Sequence, residues 1–241
     1  MSGSRQLKIV LAGATHHGKQ RDHNEDAFAV LQDQLAAVVA DGMGGLARGE
    51  IASGMVASVV AEAMQQGRSA AEGLVEAHRR IRETSISAGS ERMGSTAVTL
   101  HVVNGEAIVE WVGDSRAYLW RDQTLRQITK DHSFVEELVA AGAISADDAE
   151  THPNRNVLTR AVGIRDTLEL KVDSTKVALQ AGDRLLLCTD GLHGYLPRSA
   201  IIDCLKQGGD ADTLVQRLIE HTLNETEAGD NITAVCATVE G

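Results

Sequence analysis

Aromatic residues are nearly absent from this chain: two Trp, two Tyr and two Phe in 241 residues, so its core must be built from Ala, Val, Leu and Ile. Cysteine is also scarce. Cys188, Cys204 and Cys236 lie singly in apolar stretches without CxxC spacing, which excludes a disulfide frame and reads as buried free thiols in a reducing compartment. No stretch approaches the roughly 18 consecutive apolar residues of a membrane span. The opening MSGSRQLKIVLAGATHHGKQ lacks the apolar run and cleavage site of a signal peptide. Positive charge is in deficit, with 23 Lys and Arg against 34 Asp and Glu, and no basic run occurs. A net charge of −11 argues against nucleic acid as a partner, because backbone binding needs a basic surface. A soluble cytoplasmic chain with no membrane insertion is expected. The length is compatible with one or two domains. With no repeat, low-complexity tract or linker, a single domain over 1–241 is expected.

What the chain does have is four Asp-Gly or Gly-Asp pairs beside apolar runs: AAVVADG (Asp41-Gly42), IVEWVGD (Gly113-Asp114), LLLCTDG (Asp190-Gly191) and AGDNITAV (Gly229-Asp230). Short apolar runs bounded by Gly and polar residues read as buried strands. An Asp just past such a strand stands on a rigid edge, and the Gly beside it permits close approach of backbone or ligand. Any single pair is accounted for by a turn. Four carboxylates brought together from distant segments repel one another unless a cation lies among them, which points to a metal site.

Strand patterns cover 5–12 and 35–40, bracketing a polar loop that carries RDHNEDAF, and helical patterns cover 51–64 and 69–87. Four strand patterns follow at 96–103, 106–113, 116–122 and 124–129, with Asn104-Gly105 as a two-residue hairpin signal. Residues 131–165 change character, and Ile-Ser-Ala-Asp-Asp within them reads as a helix N-cap with an acidic first turn. Strands at 168–180 and 184–190, helices at 197–206 and 211–224, and a last strand at 231–240 complete the pattern. Strands in consecutive runs and helices in pairs predict an α+β layered fold, with helix pairs outside two antiparallel sheets.

Asp41, Asp190 and Asp230 offer an all-oxygen site suited to Mg²⁺ or Mn²⁺. Two such ions, roughly 3.5–4 Å apart, can activate a bridging water for attack. Arg21, four residues before Glu25 and Asp26, adds a planar fork that fits phosphate oxygens. On its own, an Arg beside an acidic pair also reads as a surface salt bridge.

At this point the chain resembles a family. RDHNEDAF (21–28), VVADGMGG (38–45), GSTAV (94–98), WVGDSRAY (111–118), DHS (131–133), NVLTRAVG (156–163), LLLCTDGL (185–192) and GDNITAV (229–235) are similar, in order, to the signature segments of the PPM/PP2C metal-dependent protein serine/threonine phosphatases. The 131–165 segment resembles the flap of their stand-alone bacterial members. The resemblance implies an α-β-β-α sandwich with two Mn²⁺ or Mg²⁺ ions at one edge. It implies that Asp41 bridges the ions, with the Gly42 carbonyl on one and Asp190 and Asp230 on the other. Glu25 and Asp26 order the waters around them, and Asp114 with Asp190 holds a possible third ion. Arg21 binds the phosphate and supports its catalytic transfer to water. Phosphorylated proteins as substrates and a cognate Ser/Thr kinase as opponent follow from the same resemblance.

The chain departs from the animal pattern at Met43, where those members place a His proposed as general acid. His23 and His132 lie in motif segments as candidates for that role, against a plain structural reading. Leu46 stands where bacterial relatives often have His. Arg155 and Arg160 on the flap read either as contacts for an acidic phosphoprotein or as local salt bridges. Ser95 and Thr96 read as buried hydroxyls serving backbone groups, and Cys188 as strand packing. A phosphatase fold that docks a phosphoprotein without turnover is the rival reading, and its mark would be lost ligand positions.

Overall fold

The computed structural model describes residues 7–44, 48–87, 93–164 and 169–241. The chain opens with β1 (Lys8–His16), β2 (Asp26–Leu31) and β3 (Ala36–Met43), followed by the long helices α1 (Arg48–Gln65) and α2 (Ala70–Ser87). Next come the two-residue β4 (Gly94–Ser95), then β5 (Ala97–Val103), β6 (Glu106–Val112), β7 (Arg116–Arg121) and β8 (Thr124–Gln127). Short helices α3 (Phe134–Ala140) and α4 (Ala146–Thr151) occupy the flap segment. The rest is β9 (Asp173–Ala178), β10 (Arg184–Cys188), the single turn α5 (Asp190–His193), α6 (Arg198–Lys206), α7 (Ala211–Glu225) and β11 (Ile232–Glu240).

Two antiparallel sheets result, one ordered β1-β11-β10-β7-β8 and the other β2-β3-β5-β6-β9, with β4 paired to β3. Because side chains alternate across a strand, each strand feeds two layers. Ala37 and Val39 of β3, Leu185 and Leu187 of β10, and Val235 and Ala237 of β11 meet between the sheets. The alternate residues turn outward. Ala36, Val38 and Ala40 pack under α1 and α2, and Leu186, Cys188, Ala234 and Cys236 pack under α6 and α7. The predicted α-β-β-α sandwich is the observed one, and its core is aliphatic as the composition requires. Asn104 and Gly105 both take positive φ, 52° and 79°, in the hairpin between β5 and β6. Ser145 caps α4 through a full capping box with Asp148.

One element was misplaced. RDHNEDAF is not all loop, because β2 begins at Asp26 within it and pairs along β3. The polar residues hide a strand whose burial is set by its neighbour. Among the described residues no helix is long and apolar enough to cross a membrane. Leu46 and Gly45 lie outside the described residues, as do the first residues of the 5–12 strand pattern.

Candidate active site

The alternation that builds the core also delivers the carboxylates. Asp41 follows Ala37 and Val39 on the inner face of β3, at the point where the apolar layer ends. Asp26 is its direct partner across the β2–β3 ladder. From the other sheet, β10 runs out into Thr189 and Asp190, and Asp230 lies just before β11. Hydroxyls fill the transition from apolar to acidic: Thr189 Oγ1 donates to Asp26 Oδ2 at 2.8 Å, and the Thr15 and Thr233 hydroxyls are 2.6 Å apart.

The glycines of the Asp-Gly pairs allow this convergence. A Cβ on Gly42 would sit 2.1 Å from the Gly49 carbonyl oxygen, and one on Gly191 would sit 1.8 Å from that of Asn231. Any side chain at either position would force the strand end off the element packed on it.

The result is an open cleft of about 380 Å³ whose lining brings together Arg21, Glu25, Asp41, Gly42, Asp114, Asp190 and Asp230. Every predicted site residue reaches it except Asp26, which is 8% exposed and lies behind Asp41. Five carboxylates therefore face one guanidinium. Arg21 Nη2 lies 2.8 Å from Asp230 Oδ2, with half of the arginine side chain exposed. Burial, with repulsion from Asp190 and Asp230, pushes Asp26 up to about 7. Burial and the Asp190 charge push Asp114 up to about 7 as well. Asp41 is driven well above the usual carboxylate range by burial and by Asp26 and Asp190. Asp190 is raised by burial and Asp230, while a hydrogen bond with Asp41 opposes the shift. All four shifts run the same way, because burial and mutual repulsion both disfavour negative charge in a cleft short of positive charge.

An oxygen-only donor set of this charge suits Mg²⁺ or Mn²⁺. Among the described residues no three His, Cys, Asp or Glu side chains close into a ready cage.

The candidates for proton donation fare differently. Met43 lines the cleft and carries no exchangeable proton. His132 is buried, and its Nδ1 accepts from the Gly113 amide at 3.0 Å while its Nε2 lies 3.3 Å from Asp173. Burial and Arg160 lower its pKa. Neither His132 nor the exposed His23 lines the cleft. Ser95 and Thr96 serve the backbone as expected, the Ser95 hydroxyl donating to the Asp41 carbonyl and the Thr96 hydroxyl accepting from the Asp41 amide. Cys188 is wholly buried under the outer helices. Arg160 resolves as a salt bridge, 2.7 Å from Asp173.

A family model described as protein phosphatase 2C matches residues 13–232. The chain belongs to the protein phosphatase 2C family. The expectation of a protein serine/threonine phosphatase holds across its relatives. The serine/threonine phosphatase stp of Listeria welshimeri is 38% identical over 80% of this chain and 81% of its own. PppA, a key regulatory component of T6SS in Pseudomonas aeruginosa, has a structure that superposes with a TM-score of 0.84 at 33% identity, covering 96% of this chain and 97% of that one. The catalytic domain of the phosphatase PstP, in complex with two manganese ions, has a TM-score of 0.86 at 30% identity and covers 98% of this chain and all of that one, 100%.

Within this phosphatase the sequence reading passed over three cleft residues. Asn156 and Leu158 enter the lining from the flap. They come from irregular backbone with no periodicity to mark them. Asn231 is the third. Its Nδ2 donates to the His17 and His23 carbonyls at 3.0 and 2.8 Å, and its Oδ1 accepts from the Glu25 amide at 2.8 Å. One side chain thus pins both ends of the loop that carries Arg21. Asn231→Ala is expected to leave the chain folded and lower kcat/KM by roughly 10- to 100-fold, the range for losing a partner that orients a site. Steady-state assays beside a thermal melt check this; unchanged kinetics would remove Asn231 from the site.

Proposed function

We propose that this chain hydrolyses phosphoserine and phosphothreonine esters of proteins, using two divalent cations, Mn²⁺ or Mg²⁺, held by Asp41, Asp190 and Asp230 with the Gly42 carbonyl. The observation that carries this reading is the cleft itself, in which five carboxylates face one guanidinium at the edge of a phosphatase 2C sandwich. When bound, such a pair of ions generates a nucleophile from water near neutral pH and neutralises charge on the phosphoryl oxygens.

The chain's own residues do the rest. Arg21 spends one N–H on Asp230, leaving the remaining donors of its five for phosphate oxygens in the half-exposed mouth of the cleft. Glu25, tied through its amide to Asn231, stands where it orders water beside Asp41. Asp26 supports Asp41 from behind and is itself fixed by Thr189. Asp114 and Asp190 supply oxygens for a third, weaker ion. Direct attack by water needs no nucleophilic side chain, and Met43 at the cleft wall carries no proton to give the departing alkoxide. Asn156, Leu158 and the exposed Arg155 present the flap to the phosphoprotein.

We place the enzyme in the bacterial cytoplasm, opposing a Ser/Thr kinase, a setting consistent with three free buried cysteines. The description of PppA as a T6SS regulator makes a kinase of a secretion apparatus the counterpart we favour. The test is release of phosphate from a phosphothreonine peptide by wild type and Asp190→Ala, each with Mn²⁺, Mg²⁺ or EDTA. Turnover that depends on metal and collapses in the variant is expected. No turnover with either metal, by a folded wild type, would favour a module that docks phosphoproteins without cutting them.

A further inference from the structure

The turn between β6 and β7, Gly113-Asp114-Ser115, is held at each of its three residues by a different part of the chain. Gly113 is gripped twice by His132, whose ring accepts from the Gly113 amide at 3.0 Å and whose own amide donates to the Gly113 carbonyl at 2.9 Å. The Ser115 hydroxyl lies 2.6 Å from that of Thr96, which also takes the Asp41 amide. The middle residue is held from the turn that follows β10, where His193 Nε2 lies 3.1 Å from the Asp114 carbonyl. A carbonyl only accepts, so His193 carries its proton on Nε2 and donates.

His193 is also the last residue of α5, whose first residue is Asp190. A single helical turn therefore ends in the two groups that matter here, the Asp190 carboxylate and the His193 donor. Asp114 and Asp190 come from strands β6–β7 and β10, more than 70 residues apart in sequence. The β7–β10 ladder already pairs their strands as far as Arg116 and Cys188; beyond its end, the His193 side chain reaches across to the Asp114 carbonyl itself.

We propose that His193 is a positioning residue that sets the Asp114 carboxylate against that of Asp190, and so sets the affinity of the weaker ion the two would share. The proposal rests on the metallophosphatase reading above for the ion, and on geometry alone for the clamp. His193 does not line the cleft, so it acts through Asp114 and not on substrate.

The experiment compares wild type with His193→Ala, His193→Gln and His193→Asn. Gln reaches the position of Nε2 with an N–H donor, and Asn is shorter. One readout is metal-free: hydrogen exchange of the peptide spanning 112–118. The other is the Mn²⁺ concentration for half-maximal hydrolysis of a small aryl phosphate. His193→Ala is expected to speed exchange in that peptide and raise the Mn²⁺ requirement about tenfold, the lower end of the effect of losing an outer partner of a metal ligand. His193→Gln is expected to return both readouts to within about threefold of wild type, because it restores the N–H donor to the Asp114 carbonyl, and His193→Asn to resemble Ala. Should the Ala variant not fold, Gln against Asn decides. Gln and Asn behaving alike, or an unchanged Mn²⁺ requirement in folded His193→Ala, would overturn the proposal. A wild type that shows no Mn²⁺-dependent turnover, with exchange still responding to the variants, would sink the phosphatase reading while leaving the clamp intact.

Discussion

Asp41→Asn is expected to lower metal-dependent kcat/KM by about a thousandfold or more, roughly 4 kcal/mol at 1.4 kcal/mol per decade, while making the metal-free protein more stable. The two effects have one cause. Asp41 is largely desolvated at the cleft and repelled by Asp26, Asp190 and Asp114, so its charge is a liability to folding that a bound cation offsets. Asn keeps the shape and one acceptor oxygen but removes the charge. Peptide hydrolysis measures the first effect and a thermal melt in EDTA the second. A variant that loses activity and also loses metal-free stability would show that Asp41 is held by something other than a missing cation.

The second large effect concerns pH. Asp26 has its pKa raised from the ordinary value of 3.8 to about 7, chiefly by burial. A carboxyl raised on folding contributes stability that is complete below the unfolded pKa and is lost as pH climbs through the folded one. The loss therefore falls between about pH 4 and pH 7. For a shift of that size it is on the order of 4 kcal/mol, an upper bound because Asp190 and Asp230 share the repulsion. Asp26→Asn removes the titrating group and keeps an acceptor for the Thr189 hydroxyl. Melts of variant and wild type in EDTA should nearly coincide at pH 4 and separate towards pH 8, the variant melting higher by as much as roughly 10 °C. The lowered histidines His132 and His193 act in the opposite sense, but they are present in both proteins and cancel in the difference. Added Mn²⁺ should shrink the gap. A gap independent of pH would mean that Asp26 keeps its ordinary acidity.

Much of the site was legible because strand alternation is a strict rule. A residue two beyond Val39 must face the inter-sheet layer, so the Asp in VVADG lands where the core ends, and the Gly after it marks the crowding there. The same reasoning works for LLLCTDG. It fails for Asp26, since NEDAF reads as polar and β2 owes its place to pairing with β3 and not to its own composition. It fails for Asn231 and His193 on different grounds. Their partners are backbone groups far away in sequence, and a carbonyl leaves no trace in residue type. Arg160 could not be decided beforehand because its partner, Asp173, lies in a strand whose register no local pattern fixes.

The central claim is that the Asp41, Asp190 and Asp230 cleft holds divalent cations, and counting them tests it most directly. Equilibrium dialysis of metal-free wild type and Asp41→Asn against Mn²⁺ should give two or more ions per wild-type chain and a clear deficit in the variant at the same free concentration. A wild type that binds no Mn²⁺, or a variant that binds as many ions as wild type, would contradict it.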